Sequence, residues 1–401
     1  MTQLPRSKSF SFIAFLFLAG AAVGIFFQFY FHKFMNVDTL SYINIAELYA
    51  KGEWSLAING CWSPLYSWIL AILMKPGIDP LAACYLLNFI SAATCVYFLF
   101  HISKRLLTDP VIFILFNLFS VFYFLNQSLS ALTPDLMATA ITLFFFDILL
   151  RDIYANSFRL QLFAGVVAAF MYFAKSYNFL FVTAFLFLLI VISFIGRKKK
   201  EPKYRALFNT WLVFITISLL WIIPLSIHEK QITFSTAGRY VYNFVHPDNN
   251  DHPASLHIIP PPYPEAYSAW INPVHHLDSM TWSPFQSRRM FHHQVQLIQQ
   301  SISSLIVITD KRLLKFSIMM VILIICFFSG KVRASINRSD LSLILIAMIL
   351  YPVGYLPIFV FERYVLISVV FYHLLFFTWY RHCWFLLPLI NVNIYFSALP
   401  C

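Results

Sequence analysis

Apolar runs about as long as a bilayer crossing recur along this chain, broken by short polar stretches. A helix crossing hydrocarbon needs ~20 apolar residues. Runs of that kind occupy 10–31, 81–103, 111–128, 135–150, 160–174, 178–195, 207–227, 312–329, 340–360, 364–380 and, more weakly, 384–399. They are continuous rather than alternating, so they predict helices and not barrel strands. Segment 64–75 (PLYSWILAILMK) is too short to span and predicts a surface or re-entrant helix. The expected fold is an all-α polytopic membrane protein with about 10–11 transmembrane helices. No linker divides the chain, so 1–401 reads as one transmembrane domain, with a first outer loop at 32–80 carrying interfacial helices and a long outer loop at 228–305. The latter is rich in Pro, His, Tyr and Asn, and its PPPYP run at 260–264 is extended and hostile to helix.

The polar breaks test this topology. With the N-terminus inside, the cytoplasmic turns are Lys104–Arg105, Arg151–Arg159, Arg197–Arg205 (RKKKEPKYR), Lys331–Arg338 and Arg381, and all are basic. Most of the opposite turns (the Asp38 loop, 129–134, Lys175, 228–305 and Glu362–Arg363) are poor in Lys and Arg. One span more or fewer breaks the alternation, so both long loops are expected on the outer face. The expected location is a multi-pass bacterial inner or plasma membrane protein with a cytoplasmic N-terminus.

Composition agrees. Hydrophobic residues make up 60% and charged residues 11%, against roughly 25% charged in a soluble domain, and the excess apolar surface must face lipid. The net charge of +11 follows from basic inner turns, so nucleic acid is not an expected partner. The six cysteines form no CxxC or metal-ligand spacing; Cys84, Cys95, Cys326 and Cys383 lie in apolar runs and read as small core residues. The run 10–31 follows Arg6 and Lys8 but is too long for a signal h-region and lacks a cleavage site, so it is expected to be a retained span.

The first outer loop holds the candidate chemistry. Asp38 and Thr39 are good N-cap types, and SYINIAELYAKG follows as an amphipathic helix ending at Gly52. Asp38 therefore stands at the mouth of the membrane. A carboxylate there can accept a proton or bind a metal, and it can equally be a helix cap with no chemistry. Glu47 reads as a solvated face residue.

Here the residues carry a resemblance. An acid after the first span, an interfacial helix, a Gly-Glu-Trp turn (52–54) and Trp62-Ser63-Pro64-Leu65-Tyr66-Ser67-Trp68 resemble the GT-C superfamily of membrane glycosyltransferases. That superfamily includes protein O-mannosyltransferase-like, RgtA-like and aminoarabinose transferase-like members. Later motifs keep the order: Leu132-Thr133-Pro134-Asp135, Ala174-Lys175-Ser176 and Phe361-Glu362-Arg363-Tyr364.

The resemblance implies a GT-C-like bundle that moves a sugar from a polyprenyl-phosphate-linked donor to an outer-face acceptor (lipid, glycan or protein), with inversion. It makes Asp38 the general base or metal-associated carboxylate, with Arg363 and Lys175 as cations for the donor phosphate. Asp135, Glu47, Glu362, Tyr364, Trp62 and Tyr66 are supporting residues. Many relatives carry a second acid beside the first, where this chain has Thr39, so a divalent metal is left open. From residue types alone, Arg363 could instead pair with Glu362 or mark a helix end, and Asp135 could be a helix N-terminal acid. His228, His246, His252, His257, His275, His276, His292 and His293 crowd the long loop without HxxxH or HExxH spacing, and read as surface residues. Arg239, Arg288 and Arg289 either meet an anionic acceptor or are plain surface charges. Two other classes compete: a transporter or flippase, which typically carries mid-depth charge, absent here apart from Asp147 near a span's inner end; and a non-catalytic scaffold of the same fold.

Overall fold

The computed structural model describes residues 6–31, 36–195, 203–248, 260–273, 281–310 and 338–386. Among these there are helices and no strands. The helices are α1 (Arg6–Phe31), α2 (Val37–Lys51), α3 (Trp54–Ala57), α4 (Pro64–Met74), α5 (Pro80–Leu106), α6 (Pro110–Ser130), α7 (Asp135–Leu149), α8 (Phe158–Ala174), α9 (Tyr177–Ile195), α10 (Lys203–His228), α11 (Ala237–Phe244), α12 (Arg288–Asp310), α13 (Arg338–Val353) and α14 (Leu366–Leu386). The protein is an all-α polytopic membrane protein. Four segments, Pro80–Leu106, Pro110–Ser130, Tyr177–Phe194 and Tyr204–His228, are long and apolar enough to cross a bilayer, and shorter apolar helices lie at Ile13–Ala22, Phe158–Ala174, Asp340–Val353 and Leu366–Thr378. The predicted span 312–329 and all but the first residues of 384–399 lie outside the described residues.

Local chemistry explains the boundaries. Asp79 and Asp109 cap α5 and α6, accepting from Ala82 N at 2.9 Å and from Val111 N at 2.9 Å, and in each a Pro fills the first helical position. Helix α13 ends at Val353, well short of the expected 360, because Pro352 and Gly354 break it and a turn follows. The stretch 228–305 is not purely extended: it carries α11, a 3-10 turn at Ala269–Ile271 and the start of α12. The PPPYP run itself is non-helical, as expected.

Helices α5, α6 and α7 pack together, α1 lies on α6, and α8 on α10. That last contact is close because Gly165 faces it: a Cβ there would lie 2.6 Å from Val213 Cβ and 2.7 Å from the Thr210 carbonyl. Small residues are what let helices approach when both faces are apolar. At one end of the bundle, Arg105 pairs with Asp152 at 2.7 Å and Asp340 at 2.8 Å, which draws together the C-terminal end of α5, the turn after α7 and the start of α13. Asp147 bonds Arg151 at 2.7 Å nearby. These are groups the charge alternation assigns to one side.

Helix α2 departs from expectation. It was expected to lie half wet at the interface, yet Tyr42, Ile43, Asn44, Ile45, Ala46, Leu48 and Tyr49 are all buried. It is covered by α4 on one side and by the 269–271 turn on another. Gly52 closes it in the left-handed region at φ 84°, as its sequence predicted.

Gly165→Val drives two methyls into a backbone carbonyl and Val213, and is expected to cost about 1–3 kcal/mol. Thermal unfolding of the purified variant in detergent or nanodiscs checks this, with Gly238→Ala, where a Cβ meets open space, as the neutral comparison.

Candidate functional site

At the opposite end of α5 and α7 from the Arg105 cluster, four charged side chains from four separate segments meet. The first is Asp38, in the first turn of α2. Neither Asp38 nor Thr39 caps that helix. Asn36 does, its Oδ1 accepting from Thr39 N at 2.7 Å, so the cap reading is corrected and the Asp38 carboxylate is left for other partners. Thr39 instead donates its hydroxyl to the Leu132 carbonyl at 2.8 Å, anchoring the start of α2 to the Leu132–Asp135 turn.

The partner of Asp38 is Arg363, with Nη1 2.7 Å from Oδ2. Arg363 lies on the 3-10 turn Glu362–Tyr364 between α13 and α14. Its neighbour Glu362 accepts from Gln127 Nε2 at 3.0 Å on α6, so Glu362 is anchored to the bundle while Arg363 reaches across to the first loop. Arg363 also donates to Tyr364 Oη at 3.3 Å and lies over that ring at 5.1 Å. Burial weakens the hold of the guanidinium on its proton, but Asp135, Tyr364 and Asp38 more than offset it, and its pKa stands above the ordinary value.

Beside this pair lies a second. Lys175, in the turn between α8 and α9, forms an ion pair with Asp135 at the start of α7. Asp135 also accepts from Thr133 Oγ1 at 2.7 Å and is 7% exposed. The Lys175 ammonium sits 4.4 Å over the Tyr364 ring and 5.5 Å over that of Tyr355. Burial pulls its pKa below the usual lysine value, and nearby Arg363 adds to this against the opposing pull of Asp135 and Asp38. Tyr364 is pushed up to about 12 by burial.

The other sequence-predicted residues brace this quartet. Ser63 accepts from Ser176 N at 2.7 Å, tying the WSPLYSW segment to the Lys175 turn. Tyr66 is fully buried and packs edge-on against Tyr42 at 5.3 Å. Trp62 packs on the same Tyr42 at 5.2 Å and donates its indole N–H to the carbonyls of Trp270 and Ile271, at 3.2 and 3.1 Å. Glu47 is not solvated as expected but half-buried, and accepts from Tyr267 Oη, away from the quartet.

One site residue was missed. Trp270 donates its indole N–H to Asp38 Oδ1 at 3.3 Å. It comes from the long loop, where 263–271 is strapped onto α2 and the first loop. Asn44 bonds the Glu265 carbonyl and Tyr267 N, both at 3.1 Å, and Asn59 bonds the Ile271 carbonyl at 2.6 Å. Tyr240 on α11 stands edge-on to Trp270 at 5.8 Å, and Cys61 packs in the same small cluster. Burial raises the Cys61 thiol, with Asp38 and Glu229 adding to it.

Among the described residues no three of His, Cys, Asp and Glu converge as a metal cluster. Both carboxylates of the quartet turn their oxygens to cations and N–H or O–H donors, a poor arrangement for a divalent ion. His246 and His293 are engaged with Trp282 and the Val245 carbonyl, while His252, His257, His275 and His276 fall outside the described residues. Arg289 pairs with Asp248 rather than with the quartet, and Arg239 is exposed on α11.

Asp135→Asn leaves the buried Lys175 ammonium without its counter-ion, and is expected to cost about 3–5 kcal/mol. The double variant Asp135→Leu/Lys175→Met should recover much of that loss in the same thermal unfolding measurement.

Residues 62–227 match the family described as dolichyl-phosphate-mannose-protein mannosyltransferase. No curated protein and no solved structure matches the chain. The matched segment holds Trp62–Trp68, Asp135 and Lys175; Asp38 and Arg363 flank it in sequence and join it in space. With the all-helical membrane fold, this match over part of the chain supports a GT-C-like membrane glycosyltransferase.

Proposed function

We propose that this protein moves a sugar from a polyprenyl-phosphate-linked donor to a hydroxyl acceptor on the outer face of the membrane, with inversion at the anomeric carbon. The observation that carries this reading is the Asp38–Arg363 pair. It sets a carboxylate and a guanidinium side by side at one end of a helical bundle, the two groups that a base and a phosphate-binding cation would require. A lipid-linked donor can slide in between helices with its tail in hydrocarbon, which explains why this chemistry is done on a membrane fold.

In the reaction, Asp38 takes the proton of the acceptor hydroxyl while that oxygen attacks the anomeric carbon. The bond from that carbon to the phosphate oxygen breaks, and its electron pair stays on the lipid phosphate. Arg363 suits the departing phosphate because a guanidinium fork matches two phosphate oxygens. Lys175 adds positive charge at close range but is committed to Asp135, so it acts through the field rather than as the main ligand. Single displacement is favoured over double displacement because the latter needs a second carboxylate free to act as nucleophile. Asp135, the other acid of the quartet, is held by Lys175 and Thr133.

Asp38→Asn keeps the shape and removes the base, and is expected to lower transfer by about a hundredfold or more. The assay reconstitutes the full chain in proteoliposomes, supplies radiolabelled polyprenyl-phosphate sugars, and counts label moved out of the donor. A well-folded Asp38→Asn variant with undiminished transfer would remove Asp38 from the reaction.

A further inference from the structure

The Asp38 carboxylate is engaged on both oxygens. Oδ2 faces Arg363 Nη1 at 2.7 Å and Oδ1 accepts from Trp270 Nε1 at 3.3 Å. The face of Oδ2 turned to Arg363 is engaged in that ion pair, while 21% of the Asp38 side chain stays exposed and each oxygen keeps a further acceptor site. The cation that binds the donor phosphate is also the cation that occupies the base.

Resting on the donor reading above, we propose that the lipid phosphate and Asp38 exchange on Arg363, so that donor binding is the event that frees the base. Charge balance supports the exchange. Two carboxylates, Asp38 and Asp135, meet two cations, Arg363 and Lys175, so the quartet is neutral before any ligand arrives. A donor phosphodiester adds one negative charge to a partly buried site, where unbalanced charge is costly. Lys175 is locked to Asp135 and packs over the Tyr364 and Tyr355 rings. Arg363 is the more open of the two cations, with 27% of its side chain exposed against 16% for Lys175. Carboxylate and phosphate present similar paired oxygens to a guanidinium, so one can replace the other.

Trp270 gives the exchange its geometry. When Arg363 turns to phosphate, the indole still holds Oδ1, and Oδ2 is released without the carboxylate swinging away. The freed Oδ2 then takes the acceptor proton as the new carbon–oxygen bond forms and the old one breaks toward the phosphate on Arg363. Donor binding therefore frees the Arg363-facing side of Oδ2 before the acceptor proton is taken.

The test is equilibrium binding of undecaprenyl phosphate to the full chain in nanodiscs, by microscale thermophoresis. Asp38→Asn and Asp38→Ser remove the competitor in two different ways, and each is checked for an unchanged melting temperature. Both are expected to bind about five- to tenfold more tightly than the original chain, and Arg363→Gln about tenfold or more weakly. Equal or weaker binding by both Asp38 variants, with Arg363→Gln still impaired, would mean that Arg363 holds both anions at once, and the exchange fails alone. Absence of binding in the original chain and in both Asp38 variants removes the donor reading and the exchange together.

Discussion

Burying charge at the end of an apolar bundle is the constraint around which this structure is arranged. An isolated carboxylate or ammonium there costs several kcal/mol. The chain meets that cost by bringing two acids and two cations from α2, α7, the α8–α9 turn and the turn before α14 into one neutral group. Each of the four must arrive with its backbone held, and the surrounding contacts supply this. Thr39 on the Leu132 carbonyl ties α2 to the turn before α7, while Ser63 on Ser176 and Gln127 on Glu362 anchor the Lys175 and Arg363 turns to the first loop and to α6. The stacked rings of Tyr355 and Tyr364 pack against the cations, Lys175 over both rings and Arg363 over Tyr364, without neutralising them.

The same constraint separates the two ends of the molecule. Arg105 with Asp152 and Asp340 forms a polar staple at the far end, more open to solvent on its Asp152 side. One end fastens helices, and the other gathers reactive groups under a strap of loop.

Much of this was readable before the fold was known. Helix boundaries at 80, 110, 158 and 177 fall within a few residues of the apolar runs, because Asp-Pro starts and Ser caps mark them chemically. Asp38 stood out by its place after the first span, while Lys175, Asp135 and Arg363 were picked out by the motifs of the GT-C resemblance, on turns the charge alternation put on one face. Their pairing was not, since covalent neighbours such as Glu362 and Arg363 suggest a partnership that the fold replaces with one over 300 residues apart in sequence. Asn36 was passed over as the cap because Asp38 and Thr39 are equally good types, and only backbone geometry chooses among adjacent candidates. Trp270 and α12 were missed for a shared reason. Both sit in a stretch whose polar, Pro-rich composition hides its periodicity, and what holds them is long-range contact with α2 and with the turn after α13.

The measurement that bears most directly on the account is a cryo-EM structure of the full chain with undecaprenyl phosphate bound in nanodiscs. The account predicts phosphate density within hydrogen-bonding distance of the Arg363 guanidinium, with the Asp38 carboxylate adjacent and still touching Trp270. Phosphate density at the Arg105 end, or on the outer end but out of reach of both Arg363 and Asp38, would contradict it.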